Sequence, residues 1–291
     1  MTEIISSLSE ISKRYDAMFV DLWGCVHDGI RAIPSAVSAL QAYRREGGTV
    51  ILVTNSPKPR AGVAEQLVGF GVPVDAYDDI ASSGDSARAA MYEGVVGTKV
   101  WFMGEEERDE GFFTPLKLLK NPLNIERVPL AQAEGIVCCG PFDSMADPEV
   151  NRPEFQQAIE RNLKLLCANP DIVVDRGEER EWCAGALARL YTEMGGESLY
   201  FGKPHPPIYD LARRRLADLD RKVADRNILA IGDGAQTDIA GAIGEDFDCL
   251  FISGGLAARE TQTVDQPVPD ALEHYLQKEG VHPTFAIGRL R

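Results

Sequence analysis

Two segments of the sequence carry acids that could do chemistry: one ends an apolar run with a carboxylate, and the other has the residue types and spacing of a divalent-metal site. The segment AMFVDLWGCVHDG, residues 17–29, ends an apolar run with Asp21, and LAIGDGAQTDIAGA, residues 229–242, places Asp233 and Asp238 five residues apart on a glycine-rich turn. Two carboxylates on one turn suit Mg²⁺, which binds a few carboxylates together with water and phosphate oxygens. Plainer interpretations exist for each segment alone: Asp21 could cap a turn, and the acids near residue 233 could stabilise a helix N-terminus.

Two further segments could bind the oxygens or the charge of a phosphate group. The run ILVTNS, residues 51–56, ends in Thr54 and Asn55, and a hydroxyl at that place can hold a phosphate oxygen or cap the next helix. In FGKPHPPIY, residues 201–209, Lys203 lies in a segment too kinked for a helix interior. It could neutralise a nucleophilic carboxylate and its phosphoryl adduct, or be an ordinary solvated loop residue. The sequence has neither a P-loop motif nor the spacing of an EF-hand loop, which excludes both of those sites.

Short apolar runs that alternate with amphipathic stretches predict the elements that position these side chains. This alternation is typical of parallel α/β construction, and runs that are apolar throughout indicate strands covered on both faces. We predict helices at Pro34–Arg45, near Arg60–Phe70 and at Pro269–Glu279. The predicted strands are Ala17–Leu22, Thr49–Thr54, Lys99–Phe102, Gly135–Cys139, Lys164–Ala168, Leu229–Gly232 and Asp248–Ile252.

The order of these elements predicts an α/β fold with a doubly wound parallel-sheet core and an inserted α/β domain. The core is expected to comprise residues 1–80 and 200–291, and the inserted domain residues 81–199. Since α/β sheets bind ligands in the crevice at the carboxyl ends of their strands, the strand-end polar residues are expected to meet there.

Composition restricts the partners and the compartment. The 291 residues carry a formal net charge of −15, which disfavours nucleic acid and anionic membranes as partners. The six cysteines include no C-x-x-C pair, the first residues lack the pattern of a signal peptide, and no apolar run reaches the ~18–20 residues of a membrane span. We therefore expect a cytoplasmic protein with free thiols.

The four segments, in the order strand–Asp, strand–Thr, Lys and strand–Asp-x-x-x-x-Asp, resemble the four motifs of the haloacid dehalogenase (HAD) superfamily. The chain is most similar to subfamily IIA, which includes 4-nitrophenyl phosphatase-like and phosphoglycolate phosphatase-like sugar phosphatases. The resemblance extends over nearly the whole chain. In the core it rests on Asp21-x-x-Gly24, Asp28-Gly29, Ile33-Pro34, Val53-Thr54-Asn55-Ser56, Gly202-Lys203-Pro204, Gly232-Asp233 and Thr237-Asp238-Ile239. In the inserted domain it rests on Cys139-Gly140-x-Phe142-Asp143, Asn169-Pro170-Asp171 and Ala184-Gly185-Ala186.

This resemblance implies a HAD-type phosphoric monoester hydrolase with a Rossmann-like core and an α/β cap. Asp21 would attack phosphorus and form an aspartyl-phosphate, which splits one difficult step into two. Thr54 would bind a phosphate oxygen with Asn55 beside it, and Lys203 would steady Asp21 and the transferring group. The substrate would be a small phosphorylated metabolite.

The resemblance also implies a metal site and a specificity loop. Mg²⁺ would be held by Asp21, the backbone carbonyl of Trp23 and Asp233, with Asp238 acting directly or through water. The cap loop around Asn169–Arg176 would influence the choice of leaving group, with Asn169 as a substrate contact and Arg176 as a candidate for an anionic one. A homodimer through the cap is compatible with the family.

The chain departs from the family pattern at Trp23, where family phosphatases carry a second aspartate that protonates the leaving oxygen. Indole cannot transfer a proton at neutral pH, so a contribution of ~10²–10⁴ in rate is missing or supplied elsewhere. His27, or less directly His205, could replace the acid, since the ordinary pKa of histidine is ~6.5. Alternatively the leaving group is acidic enough to need no proton, as in an acyl phosphate, or the protein binds phosphate esters with little turnover. Dehalogenation is a further alternative, because dehalogenases carry an aromatic residue at this position, but the Asp233/Asp238 pair argues against that metal-free chemistry.

Overall fold

The computed structural model describes residues 2–116, 119–176 and 179–291, and this part of the chain forms fourteen strands and nine α-helices. The strands are β1 (Glu3–Ile4), β2 (Ala17–Val20), β3 (Thr49–Thr54), β4 (Asp79–Ser82), β5 (Lys99–Met103), β6 (Glu126–Arg127), β7 (Gly135–Cys138), β8 (Lys164–Cys167), β9 (Val173–Arg176), β10 (Glu179–Trp182), β11 (Glu197–Tyr200), β12 (Ile228–Gly232), β13 (Asp248–Ile252) and β14 (Phe285–Ile287). The helices are α1 (Pro34–Arg45), α2 (Arg60–Gly69), α3 (Ser83–Tyr92), α4 (Glu106–Asp109), α5 (Arg152–Glu160), α6 (Ala184–Glu193), α7 (Pro206–Asp218), α8 (Ala240–Gly244) and α9 (Pro269–Glu279).

The chain divides into two compact units. Unit 1 comprises Met1–Thr54, Ala64–Ala81 and Tyr209–Arg291, and unit 2 comprises Asn55–Val63 and Ser82–Ile208. The sequence-based boundaries of 1–80, 81–199 and 200–291 differ from this division at three places. Residues 55–63 and 200–208 belong to unit 2, and Ala81 belongs to unit 1. The roles of catalytic core and cap for the two units stay predictions.

Unit 1 is built on a seven-stranded sheet with the order β1-β14-β13-β12-β2-β3-β4. The pairs from β1 through to β3 are parallel. Every residue of β2, β3 and β12 is buried, as the uninterrupted apolar runs predict for strands inside a parallel sheet. The register aligns Val20 with Ile231 and with Leu52, so the three strands end at nearly the same level.

Helix α1 shows why the local sequence folds as predicted. Pro34 occupies the first turn, where a missing N–H costs nothing, and Ala36, Leu40 and Tyr43 are buried at helical spacing. The Tyr43 hydroxyl donates a hydrogen bond to the Tyr15 carbonyl at 2.9 Å. This bond ties the helix to the chain that leads into β2.

Unit 2 contains a five-stranded parallel sheet with the order β11-β8-β7-β5-β6. Its predicted strands β5, β7 and β8 are confirmed to within one residue at their ends. A separate antiparallel pair, β9 and β10, was not predicted from the sequence. Phe155 and Tyr191 are fully buried and pack edge to face in the core of this unit, with ring centroids 5.1 Å apart.

All six cysteines are buried, and each is a thiol rather than part of a disulfide. Within the described part of the chain, no helix combines the length and apolar character that crossing a bilayer requires.

Candidate functional site

Asp21 and Asp233 follow two neighbouring central strands of unit 1. Asp21 comes directly after β2, and its backbone N–H donates to the Ile231 carbonyl of β12 at 2.8 Å. Asp233 comes directly after β12, and both carboxylates are nearly buried, with 8% and 4% of their surfaces exposed. Thr54, 8% exposed, ends the strand on the other side of β2. Two buried acids and a hydroxyl thus lie at one edge of the sheet, as their places at the strand ends predict.

Glycines hold the backbone close to the Asp233 carboxylate. Gly24 has a φ of +74°, and a Cβ built there would lie 2.2 Å from Asp233 Oδ2. A Cβ at Gly255 would lie 2.0 Å from the same oxygen, which accepts a hydrogen bond from the Leu256 N–H at 2.9 Å. The carboxylate therefore lies between two backbone segments that only glycine can form at this separation.

Asp21, Cys25 and Asp233 form a group that could hold a metal ion. One carboxylate oxygen of each acid and the Cys25 Sγ all lie within 4.8 Å of one another. Among the described residues, no other set of three or more His, Cys, Asp or Glu side chains brings its ligand atoms this close. Carboxylate oxygens at a closely packed, buried position are the donors that hard divalent cations take in proteins. These residues therefore fit the metal that the family resemblance implies.

Cys25 was not among the site residues expected from the sequence. Its distance of four residues from Asp21, with Gly24 between them, is the signal that could have pointed to it. The turn that follows β2 folds back, since the Val26 and His27 N–H groups both donate to the Leu22 carbonyl, at 2.8 and 3.1 Å.

Asp238 holds the turn that follows β12. Its Oδ2 accepts hydrogen bonds from the Gly234 N–H at 3.0 Å and from the Thr237 hydroxyl at 3.4 Å. The helix after β12 begins with a π-helical turn, Ala235–Ile239. Asp238 is buried but lies outside the group of ligand atoms formed by Asp21, Cys25 and Asp233. These contacts hold the loop that carries Asp233, and the direct or water-mediated metal role expected for Asp238 stays a prediction.

His27 is buried between two aromatic rings. Its ring centroid lies 5.5 Å from that of Trp23 and 4.8 Å from that of Phe70, and the side chain is 4% exposed. The Gly29 N–H donates to His27 Nδ1 at 3.0 Å. Burial lowers the pKa of His27 to about 4, against a smaller opposing effect of Asp28.

A histidine in this state is neutral at physiological pH and has one ring nitrogen occupied as an acceptor. These properties argue against His27 as the replacement proton donor considered from the sequence. His205, in unit 2, is also a poor candidate, because its ring stacks on Tyr200 at 4.8 Å and burial lowers its pKa.

Trp23 packs over the glycine that ends this loop. A Cβ at Gly29, which has a φ of +87°, would lie 2.4 Å from the Trp23 ring. Paired backbone segments join Trp23 to His27 and His27 to Ala32, and the Gly24 N–H donates to the His27 carbonyl at 2.9 Å. The indole and imidazole therefore stabilise one folded loop.

Asn55 and Lys203 are joined in unit 2 by reciprocal hydrogen bonds. The Lys203 N–H donates to Asn55 Oδ1 at 2.7 Å, and Asn55 Nδ2 donates to the Lys203 carbonyl at 3.2 Å and to Asp171 Oδ1 at 2.8 Å. Asn169 Oδ1 in turn accepts from the Asp171 N–H at 3.0 Å. Lys203 is only 4% exposed, so the ordinary solvated-loop interpretation of this lysine is wrong.

The sequence-predicted residues thus fall in two groups. Unit 1 holds Asp21, Trp23, His27, Thr54, Asp233 and Asp238, and unit 2 holds Asn55, Asn169, Arg176 and Lys203. The backbone of Arg176 ends β9, but its side chain lies outside the described part of the structure.

Comparisons with known proteins identify the family. Residues 18–113 match the family model described as haloacid dehalogenase-like hydrolase, and residues 200–278 match the one described as HAD-hydrolase-like. A crystal structure of a haloacid dehalogenase-like family hydrolase from Brucella suis 1330 is 38% identical, with a TM-score of 0.83 over 99% of this chain and 100% of that one. The p-nitrophenyl phosphatase from Archaeoglobus fulgidus is 19% identical, with a TM-score of 0.72 over 94% and 96% of the two chains, and shares the fold. The 5'-nucleotidase YutF of Bacillus subtilis (strain 168) is 24% identical over 88% of this chain and 94% of its own length. The expectation from the four motifs is confirmed: the chain belongs to the haloacid dehalogenase-like hydrolase family.

Proposed function

We propose that the protein is a Mg²⁺-dependent phosphatase that acts on a small phosphorylated metabolite through an aspartyl-phosphate at Asp21. The observation that carries the proposal is the pair of buried carboxylates, Asp21 and Asp233, at the ends of adjacent parallel strands and within 4.8 Å of each other. Two acids so close and so buried are costly unless a cation or a proton compensates their charge. The phosphatase and nucleotidase activities named for the relatives favour the same reaction.

Metal binding is assigned to Asp21, the Trp23 carbonyl and Asp233. When bound, the metal supplies positive charge that neutralises the phosphoryl oxygens. Asp238 orders the loop that carries Asp233, because its carboxylate accepts the N–H of Gly234.

In the first step an oxygen of the Asp21 carboxylate attacks phosphorus and the bond to the leaving-group oxygen breaks. In the second step water attacks phosphorus, releases inorganic phosphate and restores the carboxylate, with its protons passing to solvent or phosphate. Thr54 is assigned to a phosphate oxygen. Lys203, whose backbone is fixed by Asn55, is assigned to the negative charge of the transferring group.

The proposed substrates have leaving groups that depart without a proton. Trp23 stands where family phosphatases have their acid, and a His27 pKa of about 4 leaves that side chain neutral at pH 7. Acyl phosphates and aryl phosphates meet this requirement, and simple alkyl phosphates do not.

A second candidate function follows from the same observation. If the physiological ligand has a leaving group that cannot depart without a proton, the protein would bind that phosphate ester at this site with little turnover. It would then be a sensor or regulatory protein. Dehalogenation is disfavoured, since it would not require the buried Asp233 beside Asp21.

The test is phosphate release from an acyl phosphate, p-nitrophenyl phosphate, a nucleoside monophosphate and a simple alkyl phosphate, with Mg²⁺ or with EDTA. Wild type is expected to release phosphate only with the metal, and fastest from the first two. Asp21→Asn should abolish release, whereas the matched control Asp28→Asn, at an exposed acid of the same loop, should leave it unchanged. Full activity of Asp21→Asn would reject the proposed nucleophile. A silent wild type whose melting temperature still rises with phosphate esters would favour the binding protein.

A further inference from the structure

Cys25 lies beside the two acids of the candidate metal site. Its side chain is 1% exposed, and its Sγ lies within 4.8 Å of carboxylate oxygens of both Asp21 and Asp233. Two donors on one tetrahedral ion are about 3.6 Å apart when the metal–sulfur distance is ~2.3 Å and the metal–oxygen distance ~2.0–2.2 Å. Atoms that lie as far as 4.8 Å apart would therefore approach one another by up to about 1.2 Å to share one ion.

The backbone, rather than a chance rotamer, directs Cys25 to this place. Its N–H donates to the Leu22 carbonyl at 3.3 Å, and Gly24 turns the chain with a positive φ. The Gly24 N–H also bonds the His27 carbonyl, which closes the turn on its other side. Cys25 is thus held against the ends of β2 and β12.

We propose that the Cys25 thiolate is a third side-chain ligand of the metal site and gives it a preference for thiophilic divalent ions over Mg²⁺. This inference rests on the metal site of the proposed function, but it concerns which ion the site favours. On binding, a metal–sulfur bond replaces the S–H bond and the proton passes to solvent. Sulfur ligands favour ions such as Co²⁺ and Zn²⁺, whereas Mg²⁺ takes oxygen ligands.

The preference has a consequence for regulation of the enzyme. Mg²⁺ would be held by the oxygens of Asp21 and Asp233, without a bond to the Cys25 sulfur. Zn²⁺ would use all three side chains and displace Mg²⁺ at far lower concentrations. The chemistry of the donors therefore predicts a site at which zinc competes with magnesium.

The test is a spectroscopic titration of the metal-free protein with Co²⁺, whose bond to a thiolate gives a charge-transfer band in the near ultraviolet. The variants are Cys25→Ser and Cys25→Ala, and the matched control is Cys249→Ala, at a cysteine of unit 1 that is also 1% exposed. Wild type and Cys249→Ala should show the band, and both Cys25 variants should lack it. Competition with Zn²⁺ should show a loss of affinity on the order of 10- to 100-fold in Cys25→Ser, with little change in the Mg²⁺-dependent rise in melting temperature.

A band that persists in the Cys25 variants, or is absent from wild type, would overturn the proposal. So would an equal loss of Mg²⁺ and Zn²⁺ affinity, which would make Cys25 a packing residue. Circular dichroism identifies a variant that fails to fold, and the smaller change, Cys25→Ser, then decides the case. Phosphate release by Mg²⁺-loaded wild type separates the two hypotheses: activity without a thiolate band rejects only the role of Cys25, and a thiolate band without activity rejects only the phosphatase.

Discussion

Replacing Gly24 by alanine tests whether the close approach of this turn to Asp233 serves metal binding. The new Cβ would lie 2.2 Å from Asp233 Oδ2, at a φ of +74°. Gly71→Ala is the matched control, because Gly71 has a φ of +81° in the same unit but nothing within 4 Å of its Cβ position. Both variants strain the backbone, and only Gly24→Ala displaces a carboxylate.

The backbone strain in both variants and the displacement of the Asp233 carboxylate in Gly24→Ala differ in size and in their dependence on metal. A left-handed conformation costs an L-residue roughly 1–2 kcal/mol, so both variants should lose about that much stability without metal. To reach ordinary contact at 3.4 Å, the Asp233 oxygen must move away by about 1.2 Å from its 2.2 Å starting distance, whereas metal sites tolerate distance errors of about 0.2 Å. At a Mg²⁺ concentration of about 100 times the wild-type Kd, binding stabilises wild type by about 2.7 kcal/mol, and a 100-fold weaker site would retain only about 0.4 kcal/mol.

The assay is urea denaturation with and without Mg²⁺ for wild type and the two variants. Gly71→Ala should keep the full metal-dependent increase in the free energy of unfolding, and Gly24→Ala should lose most of it. If Gly24→Ala keeps an increase within about 0.5 kcal/mol of wild type, the metal does not depend on the position of the Asp233 carboxylate. The assignment of Asp233 as a ligand would then be rejected.

Three further predictions concern the loop after β2 and the network in unit 2. Trp23→Asp should raise the rate of phosphate release from alkyl esters by ~10²–10⁴ relative to Trp23→Asn, with little effect on acyl phosphates. Equal rates for the two variants would contradict the idea that Trp23 stands in place of a proton-donating acid. Because the pKa of His27 falls from 6.5 to about 4 on folding, the unfolded chain binds the proton first. The free energy of unfolding should therefore fall by up to about 3 kcal/mol between pH 7 and pH 4, and denaturation of His27→Gln should show a smaller fall. The Asn55 amide donates to Asp171 Oδ1 at 2.8 Å, so Asn55→Asp would place two carboxylates against each other there. The free energy of unfolding should drop by roughly 1–3 kcal/mol. Adding Asp171→Asn should restore part of that loss, as thermal denaturation of the single and double variants would show.

The buried strands were predictable because their signal is local and strong. Thr49–Thr54 is apolar almost throughout and α1 has clear helical spacing, so both elements agree with the prediction at both ends. The antiparallel pair β9 and β10 was missed because the sequence of β10, EREW, is mostly charged and neither strand exceeds four residues. Strand β14 was missed because a run of three residues is too short for a period to be recognised, although Gly280 and Pro283 separate it from α9.

The site was predictable only as far as strand ends define it. Asp21 and Asp233 meet because parallel strands carry their following residues to one edge of the sheet, which their place in the sequence implies. The pKa of His27 and the position of Cys25 depend on how a single turn folds and which side chains it buries. Apolar patterning does not encode those features, so His27 was given a proton-transfer role that its surroundings oppose, and Cys25 was given none.

The loop after β2, which the structure describes in full, offers no other side chain that could replace the acid that family phosphatases carry at the position of Trp23. Besides His27, the loop carries Asp28, but hydrogen bonds from the Arg31 and Ile30 N–H groups lower the pKa of that exposed carboxyl, which keeps it ionised. At pH 7 the Asp28 carboxyl has already lost its proton. The neutral His27 ring gives up its remaining proton far less readily than an imidazolium does. The Trp23 ring instead packs on Gly29 and His27, which fixes the turn that carries Gly24 and Cys25 to Asp233. In the proposed mechanism Trp23 would thus support the metal site although it cannot act as the acid, and such a site would suit phosphoryl groups whose leaving groups depart as stable anions.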